Sequence, residues 1–302
     1  PVVLFVYNRP NHTRRTIEAL RRNTLASETD LFIYSDGPKT VADLSKVQEV
    51  RSLLREVVGF RSVCVREAPG NLGLASSIIA GVTEVVEQFG RVIVLEDDIL
   101  TAPCFLSFMN NALDYYQDVD QVMQVSGYWY PVQLDRMPDT FFLRYPTPWG
   151  WATWQSAWRW FEKDPEGLRT SFSTSDVLRF NLDGTVDFWE QVLHNVKGKA
   201  DTWAVFWYAS IFRRNGLCLY PARSLTQNIG MDGTGQHCII TNVYDNQLTS
   251  TNPECFPSTL VEDVRVIESI KEYYTRNRIS RMMRFFKVVS MRLRKFFDRQ
   301  EP

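Results

Sequence analysis

Short apolar runs alternate with longer amphipathic stretches through the first hundred residues of this chain. Val2 to Tyr7, Leu31 to Ser35, Ser62 to Val65 and Val92 to Leu95 are each too short for a helix and carry β-branched or aromatic side chains. Continuous apolar runs of this kind fit strands buried on both faces. Between them the apolar positions fall at helical spacing. Pro10 and Asn11 open a stretch with Ile17 and Leu20; Val47, Val50, Leu53, Leu54 and Val57 mark a second; Leu74 to Phe89 is a third. Strand and helix in regular alternation, joined by short loops, predict an α/β fold with a mainly parallel sheet flanked by helices.

Each predicted strand ends in a polar or Gly-rich group: Asn8-Arg9, Ser35-Asp36-Gly37, the Pro69 to Gly73 turn with Asn71, and Glu96-Asp97-Asp98. The carboxyl ends of parallel strands share one edge, where such folds bind ligands, so these groups are expected to converge. Three adjacent carboxylates repel one another and call for a counter-charge. Hard oxygen donors suit Mg2+ or Mn2+, which takes one or two protein carboxylates and completes its shell with phosphate and water. A solvated acidic turn is the plain alternative.

Beyond the acids, Pro103 to Tyr116 predicts a helix and Gln121 to Val125 a strand. The chain then turns aromatic, with Trp149, Trp151, Trp154, Trp158 and Trp160 in a dozen residues. Indole faces stack on the apolar faces of sugar rings, and Gly150 lets backbone approach a ligand closely. Trp149, Gly150 and Trp151, crowded into a loop, are expected to face substrate; Trp158 and Trp160 are expected in the core. Asp201-Thr-Trp203 precedes a buried-looking run, Ala204 to Phe212, and Leu217 to Tyr220 predicts another strand. Asn228 to His237 packs three Gly, Asp232 and His237 into ten residues, a loop whose backbone N–H groups suit a diphosphate. An imidazole at its end suits Mn2+.

The motifs V-x-x-x-N-R-P, S-D-G, N-x-G-L, L-E-D-D, W-G-W-A-T-W and N-I-G-x-D-G-x-G-x-H, in this order over residues 2 to 240, resemble the GT-A-fold glycosyltransferases that use nucleotide sugars. The N-acetylglucosaminyltransferase I type and its bacterial relatives are the nearest pattern. The resemblance implies Asp98 as direct metal ligand, with Glu96 and Asp97 facing the ribose and the metal's water. It implies Arg9 and Asp36 at the nucleotide base, with Asn71 standing where the relatives carry a His. Asn228 and the Gly-Trp loop would line the donor or acceptor, and His237 would touch metal or phosphate. Inverting transfer needs a carboxylate to take the acceptor's proton. Asp201 aligns with the Asp-Trp step that carries it, and Glu190 is the second candidate. The donor would be UDP-linked and the acceptor a glycan or lipid-linked glycan. A G-x-G-x-x-G signature is absent, which argues against hydride transfer. A carbohydrate-binding module would use the tryptophans without the acids, and a sugar-phosphate nucleotidyltransferase would need a phosphate loop after the first strand.

Length and composition fit a globular body of residues 1–258, with a nucleotide half to residue 100 and an acceptor half beyond it. Five scattered cysteines without a C-x-x-C pair suggest reduced thiols and a cytoplasmic setting. No membrane span or signal peptide is expected, and Pro1 opens the chain inside a strand pattern, so residues upstream are expected. The net charge of −1 hides an asymmetry. Arg276 to Arg299 holds nine Lys or Arg and one acid, leaving 25 basic against 34 acidic residues elsewhere. That balance argues against a general nucleic-acid binder. In the 259–302 tail, Arg278 to Phe297 sets Ile279, Met282, Met283, Phe286, Val289 and Leu293 along one stripe among arginines, a helix suited to an anionic membrane surface at the inner face of the cell membrane. A helix packed on the body is the alternative.

Overall fold

A computed structural model describes residues 1–132, 134–135, 137–234 and 240–277. The first half follows the alternation: β1 (Val2–Val6), α1 (Pro10–Arg21), β2 (Asp30–Ser35), α2 (Leu44–Leu54), β3 (Ser62–Glu67), α3 (Leu74–Phe89) and β4 (Arg91–Glu96). After it come β5 (Ile99–Thr101), α4 (Phe105–Tyr115), β6 (Val122–Ser126), β7 (Thr140–Leu143) and β8 (Trp151–Trp154). Short helices α5 (Gln155–Trp158), α6 (Pro165–Ser171), α7 (Thr174–Phe180) and α8 (Trp189–Val196) precede α9 (Ala204–Arg213), β9 (Leu217–Pro221) and β10 (Thr226–Asn228). Residues 264–277 are helical.

Eight strands form one sheet in the order β3-β2-β1-β4-β8-β6-β9-β7, and β5 pairs with β10 in a second, two-stranded sheet. β1, β2, β3 and β4 are parallel; β8 runs antiparallel to both β4 and β6, which restores the original direction in β6 and β9. Six strands therefore end at one edge, and β8 begins there. The aromatic stretch expected as a loop is thus partly strand. Its segment Trp151–Trp154 is inserted between β4 and β6, with Val94 opposite Trp151.

The sheet divides two cores, because successive side chains of a strand point to opposite faces. Val2, Leu4 and Val6 join Ile93, Leu95, α1, α2 and α4 on one face. Val3 and Phe5 join Val92, Val94, α3 and the aromatic helices on the other. Trp151, Trp158, Trp203 and Trp207 cluster in the second core. Val266, Ile267 and Ile270 are buried in it too, and the Tyr274 hydroxyl meets that of Tyr130 at 2.6 Å. The helical segment after residue 259 therefore begins as part of the body, packed on the core through Tyr274. Arg278 to Phe297, the stretch expected to meet a membrane, lies outside the described residues. Among the described residues no helix is long and apolar enough to cross a membrane.

Candidate functional site

β1 and β4 are neighbours with Phe5 opposite Glu96, so the loops that follow them emerge together. Arg9, just past β1, pairs through its guanidinium with Asp97 and, at 2.8 Å from Nη2 to Oδ2, with Asp98. Both carboxylates are almost wholly enclosed, Asp97 at 4% exposure and Asp98 at 6%. Their backbone is held as tightly. The Thr16 hydroxyl of α1 donates to the Asp97 carbonyl at 2.8 Å, and the Ile229 amide donates to that of Asp98 at 2.9 Å. The next residue, Gly230, lies directly on the cluster: a Cβ built there would stand 2.0 Å from Asp98 Oδ2 and 2.9 Å from Arg9 Nη1. Only a residue without a side chain allows that approach.

One guanidinium for three acids leaves the cluster short of positive charge. Burial, then the charges of Asp98 and Asp97, pushes the Glu96 carboxyl up to about 8. Burial also lifts Asp97 to about 6, although Arg9 pulls the other way. For Arg9 itself, burial works against the charge, but Asp97 and Asp98 outweigh it and raise its pKa. Arg9 Nη1 is buried with no hydrogen-bond partner. An all-oxygen donor set in charge deficit fits a hard divalent cation that keeps phosphate and water as its other ligands. Among the described residues, no three His, Cys, Asp or Glu side chains form a self-sufficient cage.

The neighbouring wall is built by Asp36, past β2. Its Oδ1 accepts from the Gly37 and Leu72 amides, both at 2.8 Å, and its Oδ2 from Gly73 N at 3.0 Å and Asn71 Nδ2 at 2.9 Å. Asn71 also donates to the Gly37 carbonyl at 3.0 Å. Each Asp36 oxygen already has two donors, so Asp36 and Asn71 act together as a brace that shapes two loops beside Arg9.

On the other side of β4, Gly150 takes φ +80° and packs against Thr226, Leu95 and Ile99. This brings the Trp149-Gly150 backbone to the end of β4. Trp149 is half-buried, edge-on to Tyr128 at 4.6 Å and to Tyr244 at 5.3 Å. Trp151 requires a correction: it faces no ligand, being fully buried and stacked on Trp203 at 5.3 Å. The next residues on β8 face alternate sides, and the pleat sends this ring into the core. Trp158 lies in the core as expected, but Trp160 does not. It is 42% exposed, with the Arg214 guanidinium 3.7 Å above its ring. Asn228 is buried, its Oδ1 accepting from Gly230 N at 2.8 Å, so it props the glycine that touches Asp98.

Both candidate bases lie on the surface. The Asp201 side chain is 63% exposed and pairs with Lys163; Glu190 faces His194 on the same helix at 3.7 Å. Among the described residues, no hydrogen bond or ion pair joins either acid to the Arg9 cluster. His237 lies outside the described residues. His12, to which the sequence pointed no role, belongs to the site: its Nε2 is 3.2 Å from Asp232 Oδ2, and it is near enough to Asp97 to favour that carboxylate's charged form. Its position three residues past Arg9, in the first turn of α1, is the signal that could have found it.

No protein-family model matches the chain, and no curated protein matches it. Among solved structures it is similar to mouse xyloside xylosyltransferase 1 in its apo form, with 11% identity, 71% of this chain and 81% of that one covered, and a TM-score of 0.36. It is also similar to S. aureus TarS, with 11% identity, 52% of this chain and 28% of that one covered, and a TM-score of 0.34. At these scores the likeness carries no argument about chemistry, which rests on the site itself.

Proposed function

We propose that this chain is a divalent-metal-assisted, inverting glycosyltransferase of GT-A type that moves a hexosyl or N-acetylhexosaminyl unit from a UDP-linked donor to a glycan or lipid-linked glycan hydroxyl. The observation that carries this reading is the enclosed Arg9–Asp97–Asp98 cluster at the carboxyl edge of the sheet, with Gly230 laid against it. That arrangement couples a charge-deficient acid site to a Gly-rich loop whose backbone amides can cover phosphate. The order of sequence motifs supports it independently.

In this reading Asp98, with Glu96 and Asp97 beside it, would hold Mn2+ or Mg2+, and the bound ion would offset charge on the diphosphate. The chain's own part is to bind and orient. Arg9 pairs with two of the three acids and holds them in place, and the Asp36–Asn71 brace fixes the loops where the base would lie. The acceptor oxygen bonds to the anomeric carbon as the sugar–phosphate C–O bond breaks. The diphosphate leaves with that electron pair, and the hydroxyl proton passes to a carboxylate. For Asp201 to be that base, its carboxylate must leave Lys163 and the segment before α9 must approach the acceptor. Glu190 would have to move as well. Beyond residue 277, the basic stretch would hold the enzyme at an anionic inner-membrane surface, as suits assembly of bacterial surface polysaccharide.

The test is the melting temperature of the full chain with UDP-, GDP- and ADP-linked sugars, with and without Mn2+. A ligand that binds the folded state raises apparent stability by mass action. One nucleotide class should raise the melting temperature, and more so with Mn2+; products should then include a glycoside and a nucleoside diphosphate. If no nucleotide sugar has an effect with or without Mn2+, the reading fails.

A further inference from the structure

Large apolar side chains stand in solvent on two loops beside the acid site. Val41 is 84% exposed and Leu72 58%; Leu44 and Leu74, the first residues of α2 and α3, are exposed with them. The loops that carry them follow β2 and β3, so both lie on the carboxyl edge. They are stitched together: Asn71 Nδ2 donates to the Gly37 carbonyl at 3.0 Å, and a Cβ built on Gly37 would stand 2.4 Å from the Gly70 carbonyl carbon. The end of β1 braces the first loop. The Tyr7 hydroxyl accepts from Lys39 N at 3.0 Å, and Asn8 Nδ2 donates to Asp43 Oδ1 at 2.8 Å. Single apolar side chains scattered over a surface are ordinary, but four on two joined loops mark a contact.

Charge and residue type say what that contact is. Lys39 and Lys46 are exposed and, among the described residues, make no ion pair. The acids nearest them are engaged: Asp36 within its brace, Asp43 by Asn8 and Thr40, and Glu67 by Arg51 at 3.4 Å. Glu49, a turn further along α2, is exposed. A protein interface is anchored on aromatic and arginine side chains and is poor in lysine. Residues 39–46 and 69–74 hold no aromatic residue and no arginine. Aliphatic tips beside lysines fit a bilayer instead. The tips enter the headgroup region, and lysine lays its stem along apolar surface while its ammonium reaches lipid phosphate.

The last described helix ends on the same edge. Glu262 bridges Phe142 of β7, and residues 264–277 then run to where the Tyr273 hydroxyl donates to the Val243 carbonyl and Tyr274 meets Tyr130, four residues past β6. Asn277 therefore leaves the body beside the carboxyl edge, and the sequence after it carries eight Lys or Arg and one acid as far as Arg299. In the sheet β2 and β6 are four strand spacings apart, about 19 Å, with β1, β4 and the acid site between them.

We propose that the carboxyl edge of the sheet is the face set against an anionic lipid bilayer. Val41, Leu44, Leu72 and Leu74 enter the headgroup region on one side of the acid site, and the basic sequence after Asn277 engages it on the other. Stable anchoring of a peripheral protein takes two such signals. Resting on the proposed function, this turns the acid site toward the lipid surface and makes the acceptor lipid-linked, since a free glycan would need no such orientation.

Flotation of the full chain with vesicles of phosphatidylglycerol and phosphatidylethanolamine in equal parts tests it. Serine at all four positions (Val41→Ser, Leu44→Ser, Leu72→Ser and Leu74→Ser together) should weaken vesicle binding by about tenfold or more. Val58→Ser, on an exposed side chain between α2 and β3 at the opposite edge, should leave it unchanged. Hydrogen exchange on the wild type keeps the test open should the fourfold variant fold poorly. Vesicles should slow the amides of 38–46 and 69–76 and leave those of 55–61 as they were. Unchanged exchange in both loops, protection that falls on 55–61 instead, or a folded fourfold variant that floats like the wild type overturns the proposal. Loop protection that rises with protein concentration in the absence of vesicles would assign the patch to a second copy and overturn it as well. Neither measurement uses a nucleotide sugar. If the loops are protected by vesicles while no nucleotide sugar raises the melting temperature, the bilayer face stands and the transferase reading falls.

Discussion

Gly230 gives the sharpest test of the cluster, because its constraint is steric and can be measured without a substrate. In Gly230→Ala the new Cβ would lie 2.0 Å from Asp98 Oδ2 and 2.8 Å from its Cγ, against about 3.4–4 Å for ordinary contact. A displacement of more than an ångström is needed. Asp98 cannot easily supply it, being 6% exposed and held by Arg9 at 2.8 Å, with its carbonyl bonded to Ile229 N. The Gly230 loop is tied on its other side by Asn228 Oδ1. Overpacking of this kind costs about 1–3 kcal/mol, which for a chain of this size lowers the melting temperature by roughly 2–5 °C. The functional loss should be larger, because moving a charged ligand-binding group by about 1 Å costs on the order of 10²-fold in turnover. A melting curve on wild type and variant, repeated with the nucleotide sugar that stabilises the wild type, gives both values. A variant with unchanged melting temperature and unchanged nucleotide response would refute the close approach of Gly230 to Asp98.

Arg9→Met removes the cation between two enclosed carboxylates and should cost about 3–5 kcal/mol, read as a lower denaturant midpoint; a midpoint equal to wild type would mean the pair contributes nothing. Glu96 makes stability depend on pH: its carboxyl rises from 4.5 to about 8 in the folded chain, so its contribution is fully present below about pH 4.5 and is lost as pH climbs through about 8. In chelator, Glu96→Gln should therefore flatten the melting-temperature profile between those values, and an unchanged slope would place the titration elsewhere. Asp201→Asn should keep nucleotide affinity and lose roughly 10²–10⁴-fold in turnover if Asp201 takes the acceptor proton; the same loss in Glu190→Gln, with Asp201→Asn near wild type, transfers the role. A chain ending at Asn277 retains Tyr274 and should melt like the full chain while losing salt-sensitive binding to anionic vesicles; undiminished flotation would remove the tail from membrane contact.

The parallel half of the fold was legible because buried strands and amphipathic helices leave different periodicities. Leu74–Phe89 was delimited as observed, and the first four strands differ from expectation by two residues or fewer at any end. The convergence of Arg9 with Asp97 and Asp98 was legible for the same reason, since neighbouring parallel strands end on one edge. Three-residue strands β5 and β10 carry too few positions to show a period, and α9 is buried nearly all round, so its apolar run has no face to reveal. The strand order was less accessible still. β8 lies beside β4 from nearly sixty residues away, and nothing local in Trp-Ala-Thr-Trp requires that pairing.

Residue type by itself determined that the chain has an acid-rich sheet edge, an aromatic second half and a basic end. Only tertiary structure decided which tryptophan is core: strand pleat buries Trp151, and a turn leaves Trp160 under Arg214. It also decided that Asp36 braces loops and that Gly230 must be glycine. The reason is common to all of these. Local sequence sets backbone preference over a few residues, whereas packing, charge pairing and cavity walls are made by atoms that meet only after the chain has closed on itself.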